Sequence, residues 1–286
     1  AEPFGPVPED AVDTCGTGGD GAGTFNISTV AAFVAAAAGA PIAKHGNRAV
    51  SSSCGSADLL EALGVRTEVG PEAALRCLKE TGYTFLFAPA FHLAMQNVAD
   101  TRRALGTRTL FNLLGPLINP ARVKRQVMGV FHSRYQEPLA EALAGLGAVH
   151  AMVVHSRDGL DEISVCAETD VVEIGPAGER LRKYILKPED FGIRRRDPGA
   201  LRGGKVSRNL EIAREIFDGQ PGAHRDAVVL NAAAALYVAG AVRSLQEGVG
   251  RAGDTIDSGA ARKKVEEVRE QIGTEPKPGR PAGKKS

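Results

Sequence analysis

Near its start the chain carries Cys15-Gly16-Thr17-Gly18-Gly19-Asp20, then Asn26-Ile27-Ser28-Thr29, then Lys44-His45-Gly46-Asn47-Arg48. Two polar, glycine-containing loops thus flank the alanine-rich run from Val30 to Ala40. A loop of small residues that opens onto a helix offers bare backbone N–H groups to an anion. A second loop with Lys and Arg close by points to a ligand with more than one phosphate. The glycine loop alone is weak evidence. It has neither the Rossmann G-x-G-x-x-G spacing nor the Gly-Lys-Ser/Thr ending of a Walker A motif, and a plain tight turn would also explain it. Thr24, Asn26, Ser28 and Thr29 strengthen the case, because one side-chain oxygen is enough to cap a helix and the surplus suits a ligand or a metal.

The run Lys44 to Ser56 places Lys, His, Asn and Arg around one glycine and follows them with Ser51, Ser52, Ser53 and Ser56. It makes a poor core segment; a solvent-exposed loop and a wall of donors are the two readings, and the nearby glycine loop favours the second. His45 by itself reads as a hydrogen-bonded structural histidine. Further on, Asp161-Glu162 follows the turn Ser156-Arg157-Asp158-Gly159 on the carboxyl side of an expected strand, where α/β sheets place ligand groups. Paired carboxylates with few other ligands suit Mg²⁺, and they equally suit two solvated charges on a loop. Arg102 and Arg103 fall on an expected helix, where most arginines face solvent.

The elements needed to position these groups alternate along the sequence. Helices are expected from about Thr29 to Ala38 (capped by Ser28, closed by Gly39), from Ser56 to near Gly64, and from Pro71 to Gly82. Tyr83 to Ala88, Gln126 to Phe131 and Val149 to His155 read as buried strands, the last two separated by a helix over Tyr135 to Leu146. This order argues for a mainly parallel sheet flanked by helices, an α/β fold. Phe91 to Leu105 reads as an amphipathic helix, and Arg108 to Asn119 as a turn-rich apolar segment without a strand partner. Ile163 to Val165, Val171 to Ile174 and Leu181 to Ile185 read as short antiparallel strands, and Asn209 to Phe217, Arg225 to Ala239 and Gly259 to Gln271 as helices. The expected organisation is an α/β domain over 1–88 and 122–272, part of a small helical lobe over 89–121, and a disordered Lys/Pro/Gly-rich tail over 273–286.

The 286 residues carry a formal net charge of +1 and 43% apolar residues, enough for a large core. That balance lacks the basic excess of a nucleic-acid binder. Cys15, Cys54, Cys77 and Cys166 form no C-x-x-C pair, which argues against zinc or a disulfide framework and for reduced thiols. No apolar run approaches the ~20 residues that span a bilayer. The opening residues Ala1 to Pro6 lack a signal-peptide pattern, so a soluble, cytoplasmic protein is expected.

Several motifs together resemble the anthranilate phosphoribosyltransferases of tryptophan biosynthesis, which have a nucleoside-phosphorylase-like fold. They are Asp13 to Asp20, Asn26 to Thr29, Lys44 to Ser56, Arg102 with Arg108 to Leu117, His155 to Ile163, and Asn231 to Gly240. The likeness spans about Val12 to Glu270. The resemblance implies that Gly16, Gly19, Asp20, Thr24, Asn26, Ile27, Ser28 and Thr29 cradle the diphosphate of phosphoribosyl pyrophosphate. It implies a second wall made by Lys44, His45, Gly46, Asn47, Arg48, Ala49, Val50, Ser51, Ser52 and Ser56. Ser28, Asp161 and Glu162 match the family's Mg²⁺ ligands. Gly16, Asn47 and Arg102 match positions that meet anthranilate, Arg102 being suited to its carboxylate, while His45 and Pro116 line the aromatic tunnel. The implied reaction transfers the 5-phosphoribosyl group to the amine of anthranilate and releases pyrophosphate, with no side chain assigned as acid or base.

Members of the family typically form homodimers and begin with helices that build the small lobe; this sequence reaches its glycine loop almost at once, without those helices. Leu93 stands where a proline is usual, and Cys54 replaces a commoner polar residue. Two alternatives use a related scaffold. A pyrimidine nucleoside phosphorylase would handle inorganic phosphate and would not need Asp161-Glu162. A non-enzymatic nucleic-acid binder would show a basic face and lost metal ligands.

Overall fold

The computed structural model describes residues 4–49, 53–92, 111–176 and 181–273. The expected helix from Phe91 to Leu105 and the tail after 273 lie outside these residues, apart from their first residues, as do Val50, Ser51, Ser52 and Arg102.

The chain runs through β1 (Val12–Thr14), α1 (Ile27–Ala37), β2 (Ile42–Gly46), α2 (Ser56–Ala62), α3 (Pro71–Thr81), β3 (Tyr83–Phe87) and α4 (Ala88–Phe91). Then follow α5 (Phe111–Leu114), β4 (Arg125–Gly129), α6 (Gln136–Gly145), β5 (His150–Ser156), β6 (Thr169–Ile174) and β7 (Arg182–Leu186). The last part is helical: α7 (Val206–Phe217), α8 (Ala223–Ala239), α9 (Leu245–Asp257) and α10 (Ala260–Gly273). Among the described residues the strands form a 7-stranded sheet in the order β3-β2-β1-β4-β5-β6-β7. The first five in that order are parallel, and β6 and β7 are antiparallel additions. The chain leaves β1 towards β2 on one side and returns to β4 on the other. Such a reversal opens a crevice at the carboxyl ends of the two strands.

Burial on both faces explains the apolar strands. Along β5, Met152 and Val154 face the main core, whereas Ala151 and Val153 face a second core closed by Leu139, Ala140 and Leu143 of α6. The alternation follows the period of two of a strand. On the main-core side α1 packs against α8. Both are rich in buried alanines, among them Ala31, Ala32, Ala35 and Ala232 to Ala235, which lets two helices approach closely.

The expected α/β fold is the observed one, with local corrections. The first helix starts at Ile27, so its cap position is Asn26 rather than Ser28, and Gly39 follows it at φ +101°. Ser56 opens α2 instead of capping it; the residue before it, Gly55, donates its N–H to Asp58 Oδ2 at 2.8 Å. Residues 163–165 form no strand. Two of their N–H groups go to side chains, Ile163 to Asn231 and Ser164 to Thr169 Oγ1 at 3.1 Å, and Val165 O accepts from Arg196 N–H at 2.9 Å. Strands β1 and β2 and helix α9 have no counterpart among the expected elements; α9 is hidden because Gly248, Gly250 and Gly253 weaken its helical pattern. Gly248 has a packing reason, since a Cβ there would lie 3.0 Å from Ala233 of α8. Among the described residues no helix is long and apolar enough to cross a membrane.

Candidate active site

Part of the predicted set, the glycine loop, the start of α1, Lys44, Asp161 and Glu162, meets at the crevice between β1 and β4. The chain leaves β1 at Thr14 and enters the glycine loop, which is tied to the end of β4 twice. Thr17 N–H donates to Gly129 O at 2.8 Å, and Phe131 N–H donates to Thr17 Oγ1 at 3.2 Å. Gly18 and Gly19 take left-handed conformations (φ +62° and +76°) that glycine adopts without strain. This turn aims Gly18 N–H at Asp161 Oδ2, 2.7 Å away. Two further glycines make room for that acid. A Cβ on Gly16 would lie 2.6 Å from Asp161 Oδ2, and one on Gly129 would lie 1.5 Å from Asp161 O.

Glu162 turns the other way, to the start of α1, where its Oε1 accepts from Ser28 N–H at 3.2 Å. The two acids are thus brought to the glycine loop and the helix start, on separate amides. Burial pushes the pKa of Asp161 well above the usual carboxylate range, and the charges of Glu162 and Asp20 add to the shift. Burial raises Glu162 as well, against the pull of Lys44. Lys44 is 1% exposed and donates to Thr14 O and, at 3.3 Å, to Ser28 Oγ. One buried cation therefore faces an excess of negative charge from Asp20, Asp161 and Glu162.

The start of α1 also keeps acceptors unused. Asn26 spends its amide on Cys54 O, at 3.1 Å, rather than on capping the helix. Its Oδ1 and the hydroxyl of Thr29 are buried without a partner, a state that natural cores avoid unless something else fills the role. Thr24 sits in a bridge with Arg202, and Phe25 N–H donates to Leu201 O at 3.2 Å, so residues 201–203 brace the far side of the loop.

The second wall is assembled only in part. Lys44, His45 and Gly46 end β2 beside the glycine loop, and Gly46 packs so closely that a Cβ would meet Phe85 at 2.7 Å and Ser56 at 3.3 Å. Asp58 Oδ2 closes the following loop by accepting from Ala49 N–H at 3.0 Å. Asn47 Oδ1 accepts from Arg48 N–H at 2.8 Å. The guanidinium of Arg48 is drawn to α2, where it holds Glu61 at 2.6 Å and Asp58 at 3.3 Å. In this arrangement it faces those acids and not the glycine loop.

His45 and Pro116 do come together. His45 Nδ1 is 3.1 Å from Gly115 O, in the single 3₁₀ turn Gly115–Leu117 that also holds Pro116. Burial, helped by His92, lowers the His45 pKa to about 4, so the ring is neutral near pH 7. His92 packs edge-on against it at 5.1 Å between centroids. The approach of Asp13, Cys15 and His45 is the one grouping of metal-binding types close enough to share an ion among the described residues. Its members are otherwise engaged: Asp13 accepts from Asn119 Nδ2 at 2.8 Å and from His45 N–H at 3.0 Å. Burial raises Asp13 to about 6 despite the Asn119 bond and the nearby Lys44.

Sequence reasoning missed the part of Asp20 in the acidic group, the anchor at Thr17, the clearance at Gly129, the Asn119 bond to Asp13, and His92 beside His45. Only Asp20 and His92 had a local signal, a charge in a glycine loop and a histidine in an apolar segment.

Residues 8–262 match the model of the "Glycosyl transferase family, a/b domain". The anthranilate phosphoribosyltransferase of Azorhizobium caulinodans is 52% identical over 262 residues, 92% of this chain and 76% of that protein. The crystal structure of anthranilate phosphoribosyltransferase from Thermus thermophilus superimposes with a TM-score of 0.90 at 46% identity, covering 96% of this chain and 81% of that one. The Saccharomyces cerevisiae enzyme, solved in complex with PRPP and Mg, gives a TM-score of 0.87 at 29% identity, covering 96% and 76%. By fold and by sequence, this chain belongs to the anthranilate phosphoribosyltransferase family.

Proposed function

We propose that this chain transfers the 5-phosphoribosyl group of phosphoribosyl pyrophosphate to the amine of anthranilate and releases pyrophosphate. The observation that carries the reading is the placement of Asp161 and Glu162 on the amides of Gly18 and Ser28, at the mouth of α1. The positive end of the α1 dipole with Lys44 beside it suits a diphosphate, and carboxylates in excess of their counter-charge suit a divalent cation next to it.

Ser28, Asp161 and Glu162 offer oxygen donors only, which fits Mg²⁺ rather than a softer metal. Asp20 adds negative charge at the same place. When bound, Mg²⁺ supplies screening of the charge that grows on the departing diphosphate. The chain's own groups do the rest. The glycine loop and the first turn of α1 line the place of the diphosphate, with Lys44 beneath them, and Asn26 and Thr29 offer buried polar atoms to the ligand. Breaking the bond at C1 places positive charge on the ribose and negative charge on the leaving group, so positioning and fixed dipoles dominate the rate. Neutral His45 and the Pro116 turn form an apolar seat for the aromatic ring, with Asn47 and Gly16 near it and Arg102 pairing its carboxylate. The amine is the nucleophile and needs no strong base.

The test follows anthranilate fluorescence with phosphoribosyl pyrophosphate, with and without Mg²⁺. Consumption of anthranilate only when donor and metal are both present is expected. Phosphorolysis of a pyrimidine nucleoside with no pyrophosphate-dependent reaction would overturn the reading.

A further inference from the structure

Asn231 lies on α8, far along the sequence from the acids, and is 4% exposed. Its Oδ1 accepts from Ile163 N–H at 3.0 Å, while its Nδ2 donates to Ile163 O at 2.8 Å and to Ala227 O at 2.9 Å. Both backbone groups of the residue directly after Glu162 are therefore satisfied by one side chain. Residues 163–165 belong to no strand, so no ladder would hold this peptide if Asn231 were lost. On the other side, Asp161 O rests against Gly129 with no space for a Cβ. The acids are gripped between a tightly packed strand end and a helix amide, in surroundings where an unpaired peptide group is costly.

We infer that Asn231 is a positioning residue that sets the metal-binding geometry of Asp161 and Glu162 through the Ile163 peptide. A side chain placed only for helix stability would need no more than its bond to Ala227, one turn back. The two bonds to Ile163 cross from α8 to the acidic segment. Partners that orient metal ligands typically govern about 10- to 100-fold in metal affinity. The inference rests on the Mg²⁺ reading above.

The test titrates Mn²⁺, read by its electron paramagnetic resonance, into the full chain with phosphoribosyl pyrophosphate present. Wild type is compared with Asp161→Asn/Glu162→Gln, Asn231→Leu, Asn231→Ala and Tyr237→Phe, and kcat and both KM values are measured with Mg²⁺. Asn231→Leu keeps the volume of the side chain. Tyr237→Phe, on the same helix, removes a bond to Glu173 and controls for a general loss of stability. Asn231 variants are expected to bind Mn²⁺ about tenfold more weakly, with lower kcat, little change in the KM for anthranilate, and partial recovery at high Mg²⁺. Tyr237→Phe should keep wild-type Mn²⁺ affinity. If wild type binds Mn²⁺ no better than the acid-pair variant, the metal reading fails and takes this inference with it. If wild type binds through the acids and the Asn231 variants bind equally well, the inference alone is overturned. It is also overturned if both Asn231 variants fail to fold, which would make the residue a structural staple.

Discussion

Two groups of carboxylates sit at opposite ends of the same strand, β5, and they are built on opposite principles. At its start, Glu173 of neighbouring β6 is 1% exposed and its Oε1 collects His150 Nε2 at 3.0 Å, Arg182 at 3.1 Å and Tyr237 O–H at 3.1 Å. Burial opposes its charge, but the hydrogen bonds from His150 and Tyr184 and the charge of Arg182 outweigh it and hold its pKa below the usual value. Beyond the end of β5, Asp161 receives the amide of Gly18, Glu162 receives the amide and the side chain of Ser28, both sit beside Asp20, and burial raises both. One group is saturated with donors and serves the fold. The other is left with charge unpaired, as a site for a cation and an anionic substrate would be. Burial of an acid thus says nothing about its role until its donors are counted.

The contrast predicts its largest effect at the functional end. Asp161→Ala with Glu162→Ala should lower turnover by roughly a thousandfold or more, as loss of charge stabilisation at a leaving group does. The metal-free fold should melt no lower than wild type, because buried acids that repel each other have been removed. Full activity in this variant would erase the distinction between the two groups.

At the other end the signs exchange. Glu173→Gln should leave turnover near the wild-type value and destabilise the fold by about 3 kcal/mol, the scale for breaking a buried ion pair. Denaturant melts and the anthranilate assay on one preparation check both halves. A wild-type melt, or a collapse of activity without unfolding, would show that Glu173 is not a structural anchor.

Acid titration separates the groups by direction. The folded pKa of Glu173 is lowered, so its contribution is present above the unfolded value of 4.5 and is lost as pH falls through the folded one. The stability gap between wild type and Glu173→Gln should therefore close on acidification. Asp161 and Glu162 have raised folded pKa values. Their favourable contribution is present at low pH, where both are protonated, and is lost as pH rises from the unfolded values through the folded ones. Without metal, Asp161→Asn/Glu162→Gln should thus be more stable than wild type at pH 8, and the gap should vanish below about pH 4. Thermal melts across pH, repeated with Mg²⁺ and donor, read both slopes. A shared direction would remove the contrast.

How far these groups could be read from the sequence follows the distance over which they are encoded. The glycine loop and Asp161-Glu162 stand out as short local patterns with a chemical reason, whereas Lys44 to Gly46, read as loop, ends β2 with Lys44 1% and His45 4% exposed. The parallel sheet was legible from apolar runs separated by helical stretches. Arg48, read as part of a phosphate wall for its charge, is held by Glu61 and Asp58 of the next helix in the described structure. Asn231, Gly129 and Glu173 gave no local signal. Asn231 meets Ile163 across 68 positions, and Tyr237 meets Glu173 across 64, so only the folded chain reveals what each satisfies. Helix α9 was hidden because three glycines lower its propensity while one of them allows its contact with α8.

The smallest effect expected tests whether the functional end is held as lightly as its sparse bonding suggests. Thr17 fastens the glycine loop to β4 with its own N–H and its hydroxyl. Thr17→Val keeps the first bond and removes the second, leaving Phe131 N–H without its acceptor. A bond of this kind is worth about 1 kcal/mol, which corresponds to roughly fivefold in an equilibrium constant. The loop borders the place expected for the donor, so the loss should appear as a similar rise in the KM for phosphoribosyl pyrophosphate. The KM for anthranilate and the melting temperature should move much less, because the loop buries little apolar surface. Thr17→Ser retains the hydroxyl and should restore the donor KM. If Thr17→Val instead lowers the melting temperature as far as Glu173→Gln, the loop belongs to the structural frame, and the division between a saturated end and an open end of β5 would have to be redrawn.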